Sequence, residues 1–161
     1  MMTQKLATSA LIVQQFLTEK GFAFEVKHFD ASTRTAQQAA DALGCQVAQI
    51  AKSLIFKDEY TGNPILIIAS GSNHVDLEKV NHAMQVKLQK ADADFVKRQV
   101  GFAIGGVPPV AHRQPLVTIL DPALKQFDYL WAAAGTPNAV FQLKPSDLAV
   151  LTGGQWCELA R

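Results

Sequence analysis

Ile50-Ala51-Lys52-Ser53-Leu54-Ile55-Phe56 reads as a buried β-strand with a lysine among large apolar neighbours. Successive side chains on a strand point to opposite sides, so Ile50, Lys52, Leu54 and Phe56 share one face. Ala51, Ser53, Ile55 and Lys57 share the other. The first face is the more apolar and is expected to meet the core, with Lys52 near its edge. Lysine is among the residues least often fully buried. Its ammonium has two destinations on this pattern. It can snorkel outward, with its stem covering Leu54, or point into a pocket and meet an anionic or electron-rich ligand.

The flanking sequence predicts what surrounds that strand. Downstream, Thr61-Gly62-Asn63-Pro64 is a turn, which makes Leu54–Lys57 and Pro64–Ser70 a hairpin. Pro64–Ser70 is apolar on both faces, as a central strand is. Upstream, Thr35 with Gln38 matches a capping box for a helix carrying Ala39, Ala40 and Leu43 and closed by Gly44. A short helical turn near Val47 feeds the strand. Before these, Thr8 or Ser9 caps a helix running to about Lys20, and Phe22, Phe24, Val26 and His28 alternate as a strand.

Beyond the hairpin, Asp76 opens a helix with Leu77, Val80 and Met84, and Val86–Gln89 is a short strand. Asp92 or Asp94 caps a helix that Gly101 stops. Phe102–Val110 is expected to be a strand running into a Gly-Gly-x-Pro-Pro loop. Leu116–Leu120, Leu130–Ala134 and Ala139–Leu143 are further strands. Asp121-Pro122 opens a helical turn, Pro145 starts a last helix, and Trp156 to Leu159 packs the C-terminus. Mixed hairpins and helical connections predict an α+β fold in one domain over residues 1–161.

Composition narrows the function classes. Of 161 residues, 48% are hydrophobic and 18% charged, as in a folded globular protein. Fifteen basic and 14 acidic residues leave a net charge of +1, which excludes a general polyanion-coating protein but permits a local basic site. No apolar run reaches the roughly 20 residues of a membrane span, and a cytoplasmic location is the default expectation. Cys45 and Cys157 form no metal or redox motif. His28, His74, His82 and His112 are scattered; His74-x-Asp76 lacks a second ligand pair, so no metal site is expected.

Two glycine loops carry more. Gly105-Gly106-Val107-Pro108-Pro109 lets a ligand approach main-chain groups and then stiffens the backbone; a tight bend explains it equally well. Gly135-Thr136-Pro137-Asn138 adds a hydroxyl and an amide able to bond a ribose or an amino group, and is also a good ordinary turn. Thr33 and Thr35 precede a helix N-terminus, where amides can meet an anion. Lys87, Lys90, Lys97 and Arg98 form a modest basic cluster. Trp131 and Phe141 read as core aromatics. Neither glycine loop matches a nucleotide-triphosphate or dinucleotide fingerprint.

Taken in order, Thr35-x3-Ala39-Ala40-x2-Leu43-Gly44, Gln49-Ile50-x-Lys52-Ser53-Leu54, Gly105-Gly106-Val107-Pro108-Pro109, Asp121 and Gly135 resemble the YbaK/ProX family of aminoacyl-tRNA deacylases. That family is related to the editing domain of bacterial prolyl-tRNA synthetase. The resemblance implies a compact α+β fold with a mixed, strongly curved, barrel-like sheet flanked by helices. It implies trans-editing: hydrolysis of an amino-acid ester from the 3′ end of a mischarged tRNA, with no cofactor and no metal. It places the functional lysine at Lys52, as a cation that binds and polarises the aminoacylated end. Ser53, Gly105, Gly106, Pro108, Gly135, Thr136, Asn138 and Thr35 become candidate substrate-binding residues. Some relatives carry Gly-His where this chain has Gly135-Thr136, and Asn138 is the candidate to take part of that role. The expected partner is the acceptor end of an aminoacyl-tRNA, with an aminoacyl-tRNA synthetase as a second, and neither DNA nor membrane. A tRNA- or synthetase-binding module without chemistry is the alternative; a regulator binding an aminoacyl ligand is a third reading.

Overall fold

A computed structural model describes residues 8–29 and 35–161. Thr33 lies outside them. Among the described residues the chain forms α1 (Thr8–Glu19), β1 (Lys27–His28), α2 (Ala36–Leu43), β2 (Ile50–Asp58), β3 (Pro64–Ser70), α3 (Leu77–Met84) and β4 (Leu88–Lys90). It continues through α4 (Ala93–Val100), β5 (Val117–Leu120), β6 (Leu130–Ala133), β7 (Ala139–Leu143), α5 (Pro145–Thr152) and β8 (Gln155–Trp156). The strands form one mixed sheet in the order β1-β7-β6-β2-β3-β5-β8, with β4 added on β2. The fold is α+β, as expected. Pairing gives an open order, and among the described residues no ladder joins β1 to β8, so the barrel-like closure is not seen in it.

Most boundaries follow local chemistry. Thr35 and Gln38 close the capping box of α2 reciprocally, and Gly44 ends that helix at φ +69°. Asp76 and Asp92 cap α3 and α4 by accepting main-chain N–H bonds, while Asp94 lies inside α4. Thr8 and Ser9 are likewise inside α1 rather than before it. The β2–β3 hairpin pairs Ala51 with Ser70 through Lys57 with Pro64.

Two expected strands are not strands. Phe22–Val26 is irregular because the side chain of Gln14 replaces a neighbouring strand. Its Nε2 donates to the Phe24 carbonyl at 2.9 Å and its Oε1 accepts from Val26 N–H at 2.9 Å. Only Lys27 and His28 go on to pair, with Val140 and Ala139. Phe102–Val110 is a string of turns. Gly105 sits at φ +94°, Gly106 N–H turns back to the Ala103 carbonyl at 3.1 Å, and the two prolines have no N–H for a ladder. The strand expected over Val86–Gln89 is displaced to β4.

Helices cover both faces of the sheet. Ala10, Val13 and Leu17 of α1, Phe95, Val96 and Val100 of α4 and Leu148 of α5 pack with Ala51, Leu66, Ile68 and Phe141 in the larger cluster. On the other face, Val80 of α3 joins Ile65, Ile67 and Ala69, with Leu54 and Phe56 against them. Also on that face, Ala39 and Ala40 of α2 pack on Ile50, with Trp131 alongside. The face of β2 carrying Lys52 is therefore covered in two separate patches, and the larger core lies behind Ala51 and Ile55. Lys52 falls at the seam between the patches.

Gly71 lets the end of β3 pass under α2. A Cβ there would overlap the Val47 carbonyl oxygen and come within 2.9 Å of the Ala36 methyl. Gly71→Ala is expected to destabilise the fold by about 1–3 kcal/mol through overpacking, read as a lower urea midpoint at unchanged m-value.

Candidate active site

The site begins as a break in the sheet. Along one edge β2 pairs continuously with β3. Along the other it pairs with β6 only at Ile50 and Ala51, and with β4 only from Phe56 to Asp58. Between these contacts, no strand among the described residues lies beside Lys52 to Ile55 on this edge. The Ile50 carbonyl accepts from Gly71 N–H on the β3 side, and strand groups alternate in direction. The main-chain groups of Ser53 therefore point into the break.

Two adjoining cavities fill it. One, of about 250 Å³, is walled by Thr35, Ala36, Lys52, Ser53, Gly105 and Trp131, among others. The second, of about 300 Å³, is more apolar and shares Ser53, Leu54, Ile104, Gly105 and Val107 with the first. Ser53 reaches both because the break is open to both faces of the sheet. Its Oγ is buried and has no hydrogen-bond partner, an unmet demand at the centre of the cleft. Ile104 stands 54% exposed at the rim.

Lys52 is half-buried, and its Nζ donates to the Asn73 carbonyl at 2.7 Å. Burial lowers its pKa from the ordinary lysine value, and the negative charge of Asp121 acts in the opposite direction. Asp121, at 2% exposure, is sealed behind Asn73. Its Oδ2 accepts from Ser70 N–H at 3.0 Å and Asn73 Nδ2 at 2.9 Å, and its Oδ1 from Ala123 N–H at 2.9 Å.

The other candidates divide. Thr35 lines the cavity at the α2 cap, its hydroxyl accepting from Gln38 N–H at 3.1 Å. Gly105 lines it too. Gly106, Pro108, Gly135, Thr136 and Asn138 do not; they support it from behind. A Cβ on Gly106 would sit 2.8 Å from the Thr136 backbone, so the two glycine loops are pressed together. Pro108 is buried, and its carbonyl accepts from His112 Nε2 at 2.7 Å. Burial holds the His112 imidazole below its usual pKa and so mostly neutral at pH 7, bracing the loop rather than serving the cavity. Asn138 Nδ2 donates to the Phe29 carbonyl at 3.2 Å, tying β7 to the end of β1.

Sequence reasoning missed Asn73 and Trp131. Asn73 acts here through its main-chain carbonyl, which no residue type advertises. Phe141 is a core aromatic, but Trp131 is half-buried on the cavity wall, with Lys27 Nζ 5.2 Å from its ring centroid. The mid-chain basic cluster is partly neutralised, since Lys87 pairs with Glu59 at 3.0 Å and Arg98 with Asp94 at 2.8 Å. Among the described residues no three His, Cys, Asp or Glu side chains gather as a metal set, and no helix is long and apolar enough to cross a membrane.

Comparison with known proteins gives this cleft a context. The sequence profile of the aminoacyl-tRNA editing domain matches residues 30–151. The chain belongs to that family. By family it is an aminoacyl-tRNA deacylase, acting on mischarged aminoacyl-tRNA. Its relatives include the uncharacterized YwhH of Bacillus subtilis (strain 168), 34% identical over 125 residues, which cover 78% of this chain and 79% of that protein. EbsC of Enterococcus faecalis, named as a candidate Cys-tRNA(Pro)/Cys-tRNA(Cys) deacylase, is 25% identical over 161 residues, covering 98% and 94%. A crystal structure described as a candidate trans-editing enzyme for prolyl tRNA synthetase matches with a TM-score of 0.91 at 44% identity, covering 98% of this chain and 99% of that one.

The editing-domain cleft yields a stability prediction. A buried hydroxyl without a partner contributes no hydrogen bond to the fold, so Ser53→Ala is expected to be neutral or stabilising by up to about 1 kcal/mol. Thr35→Ala, which removes a satisfied cap, is expected to cost about 0.5–2 kcal/mol. Chemical denaturation of the two variants side by side checks both.

Proposed function

We propose that the protein is a trans-editing hydrolase that deacylates mischarged tRNA in the cleft beside β2, with Lys52 polarising the aminoacyl ester. The observation that carries this reading is the Lys52 ammonium, half-buried on the cavity wall and held there by a neutral carbonyl. When water attacks the ester carbonyl, negative charge develops on its oxygen. A fixed ammonium in a partly dry site stabilises that charge more than bulk water does. Breakdown of the tetrahedral intermediate releases the amino acid and leaves the tRNA 3′ oxygen to take a proton from water.

The described walls of the first cavity carry no carboxylate, imidazole or thiol. What these described walls offer the step is positioning and electrostatics. Ser53 offers an unpartnered hydroxyl and main-chain groups at the break, suited to the substrate's amino group or ester. Gly105, with no side chain, lets the ester approach the loop backbone. Gly106, Pro108, Gly135, Thr136 and Asn138 are assigned to holding that loop and the strand behind it. The likeness to a candidate Cys-tRNA deacylase, together with the cavity volume, supports an amino acid with a small side chain. A net charge of +1 supports RNA contact confined to the acceptor end. A synthetase partner that hands over the mischarged tRNA fits the solved trans-editing relative.

The test is a panel of mischarged tRNAs, assayed with wild type and Lys52→Ala. Wild type is expected to release at least one small amino acid above the buffer rate, and Lys52→Ala to lose about 10²–10³ in kcat. Full activity in Lys52→Ala removes the proposed role of the lysine. Tight tRNA binding without single-turnover hydrolysis makes the protein a binding module instead.

A further inference from the structure

We propose that Asp121, acting through Asn73, is the positioning residue that fixes the Lys52 ammonium over the cavity. Three observations meet in this chain of contacts. Asp121 is a buried carboxylate without an ion-pair partner at contact distance among the described residues. Its three hydrogen bonds go to Ser70 N–H, Asn73 Nδ2 and Ala123 N–H, so two of them grip the turn that follows β3. That turn is closed by Asn73 N–H on the Ser70 carbonyl at 2.9 Å, and it presents the Asn73 carbonyl to Lys52 Nζ at 2.7 Å.

Topology explains why the carboxylate sits there. β3 and β5 run parallel, with Ile68 beside Leu120 at their C-terminal ends. Asp121 is the next residue after β5, and Ser70 is the last of β3. A side chain leaving β5 at this point reaches across to the β3 turn. Capping the following helical turn through Ala123 would satisfy only one of its two oxygens. The other oxygen holds the turn that holds the lysine.

Burying a carboxylate is costly unless its charge is compensated. Here three N–H donors stabilise it directly, and the Lys52 ammonium compensates it at second hand, through Asn73, whose side-chain amide meets the carboxylate and whose carbonyl meets the lysine. Asp121 is the charged group whose field raises the Lys52 pKa against the effect of burial. The first cavity's described wall adds no other ionisable side chain. Asp121 thus does two things for Lys52: it immobilises the acceptor, and it favours the protonated form.

The inference rests on the proposed role of Lys52 only for its kinetic consequence; the coupling itself is independent of it. The experiment therefore has two arms on the full-length protein. In the first, the Lys52 side chain is followed by NMR across a pH titration in wild type, Asn73→Ala and Asp121→Asn, with Lys52→Arg to assign the signal. Lys52 is expected to titrate at lower pH in Asp121→Asn, which loses the charge that raises it, and to shift away from the wild-type value in Asn73→Ala, upward where the released ammonium reaches solvent. Superimposable Lys52 titrations in wild type and variants overturn the proposal. Asp121→Asn puts an amide donor against at least one N–H group, that of Ala123 in the better orientation, and so risks the fold. Asn73→Ala keeps Asp121 and its bonds to Ser70 and Ala123, and decides the matter alone if the other variant does not fold.

In the second arm, a mischarged tRNA that wild type hydrolyses is used to separate kcat from KM. Asn73→Ala is expected to lower kcat about tenfold with KM changed less than about twofold, because a misplaced cation fails mainly in the transition state. A loss confined to KM overturns the positioning role. If wild type hydrolyses nothing in the panel, the proposed function falls, and the titration arm still decides whether Asp121 governs Lys52.

Discussion

β2 has one continuous neighbour and one broken one, and the rest of the site follows from that constraint. With β3 the strand pairs from Ala51 to Lys57; with β6 and β4 it pairs only at its two ends. A strand with an unpaired stretch ordinarily exposes groups that demand hydrogen bonds. Among the described residues, neither a helix nor a bulky side chain fills the stretch. The chain lines it with Gly105, Ser53 and small wall residues such as Ala132 and Ala133, so the break persists as a cavity. Side chains from the helices pack on both faces of the sheet around it. The gap is thus a property of the fold, rather than of a loop laid over it.

How much of this was readable in advance depended on how local the cause was. The capping box at Thr35, the Gly44 stop, the Asp caps and the β2–β3 hairpin are decided within a few residues, and they stand where the sequence put them. The alternation from Ile50 to Phe56 correctly set Lys52 on the face of Leu54. It also set the core on that face, whereas the larger core lies on the opposite one, because Ala51 and Ile55 are apolar as well. Phe22–Val26 has good strand chemistry, yet the Gln14 amide supplies its main-chain partners, a contact between segments 10 and 12 residues apart that periodicity cannot show. The parallel ladders of β3 with β5 and β2 with β6 join distant segments and left no local mark.

The site was legible in the same uneven way. Lys52, Ser53, Thr35 and Gly105 could be singled out because each carries its significance in its side chain, or in the lack of one. The second glycine loop was also recognisable, but its place behind the first was not. Thr136 meets Gly106 backbone to backbone, and Asn138 turns to Phe29. Asn73 was invisible, since its contribution to Lys52 is a peptide carbonyl. Asp121 was noticed as a cap, and it is one, but its second oxygen carries the longer-range consequence.

That arrangement bears on why the lysine is held by a carbonyl and not by the nearby carboxylate itself. A direct Lys52–Asp121 pair in this half-buried setting would satisfy both charges, leaving little positive potential for a third group. Placing one residue, Asn73, between them changes the outcome. The carboxylate is stabilised by N–H donors and still favours a protonated lysine through its field. The ammonium commits one of its three donors to a neutral acceptor, and in the proposed role the others serve the substrate. A cation held this way is fixed in space without being neutralised. Such a group is suited to charge that appears only during a reaction, since its orientation has been set by folding and costs nothing at the moment of bond breaking. The same logic predicts that a lysine moved onto the carboxylate would bind as firmly and work less well, which separates holding a cation from making it useful.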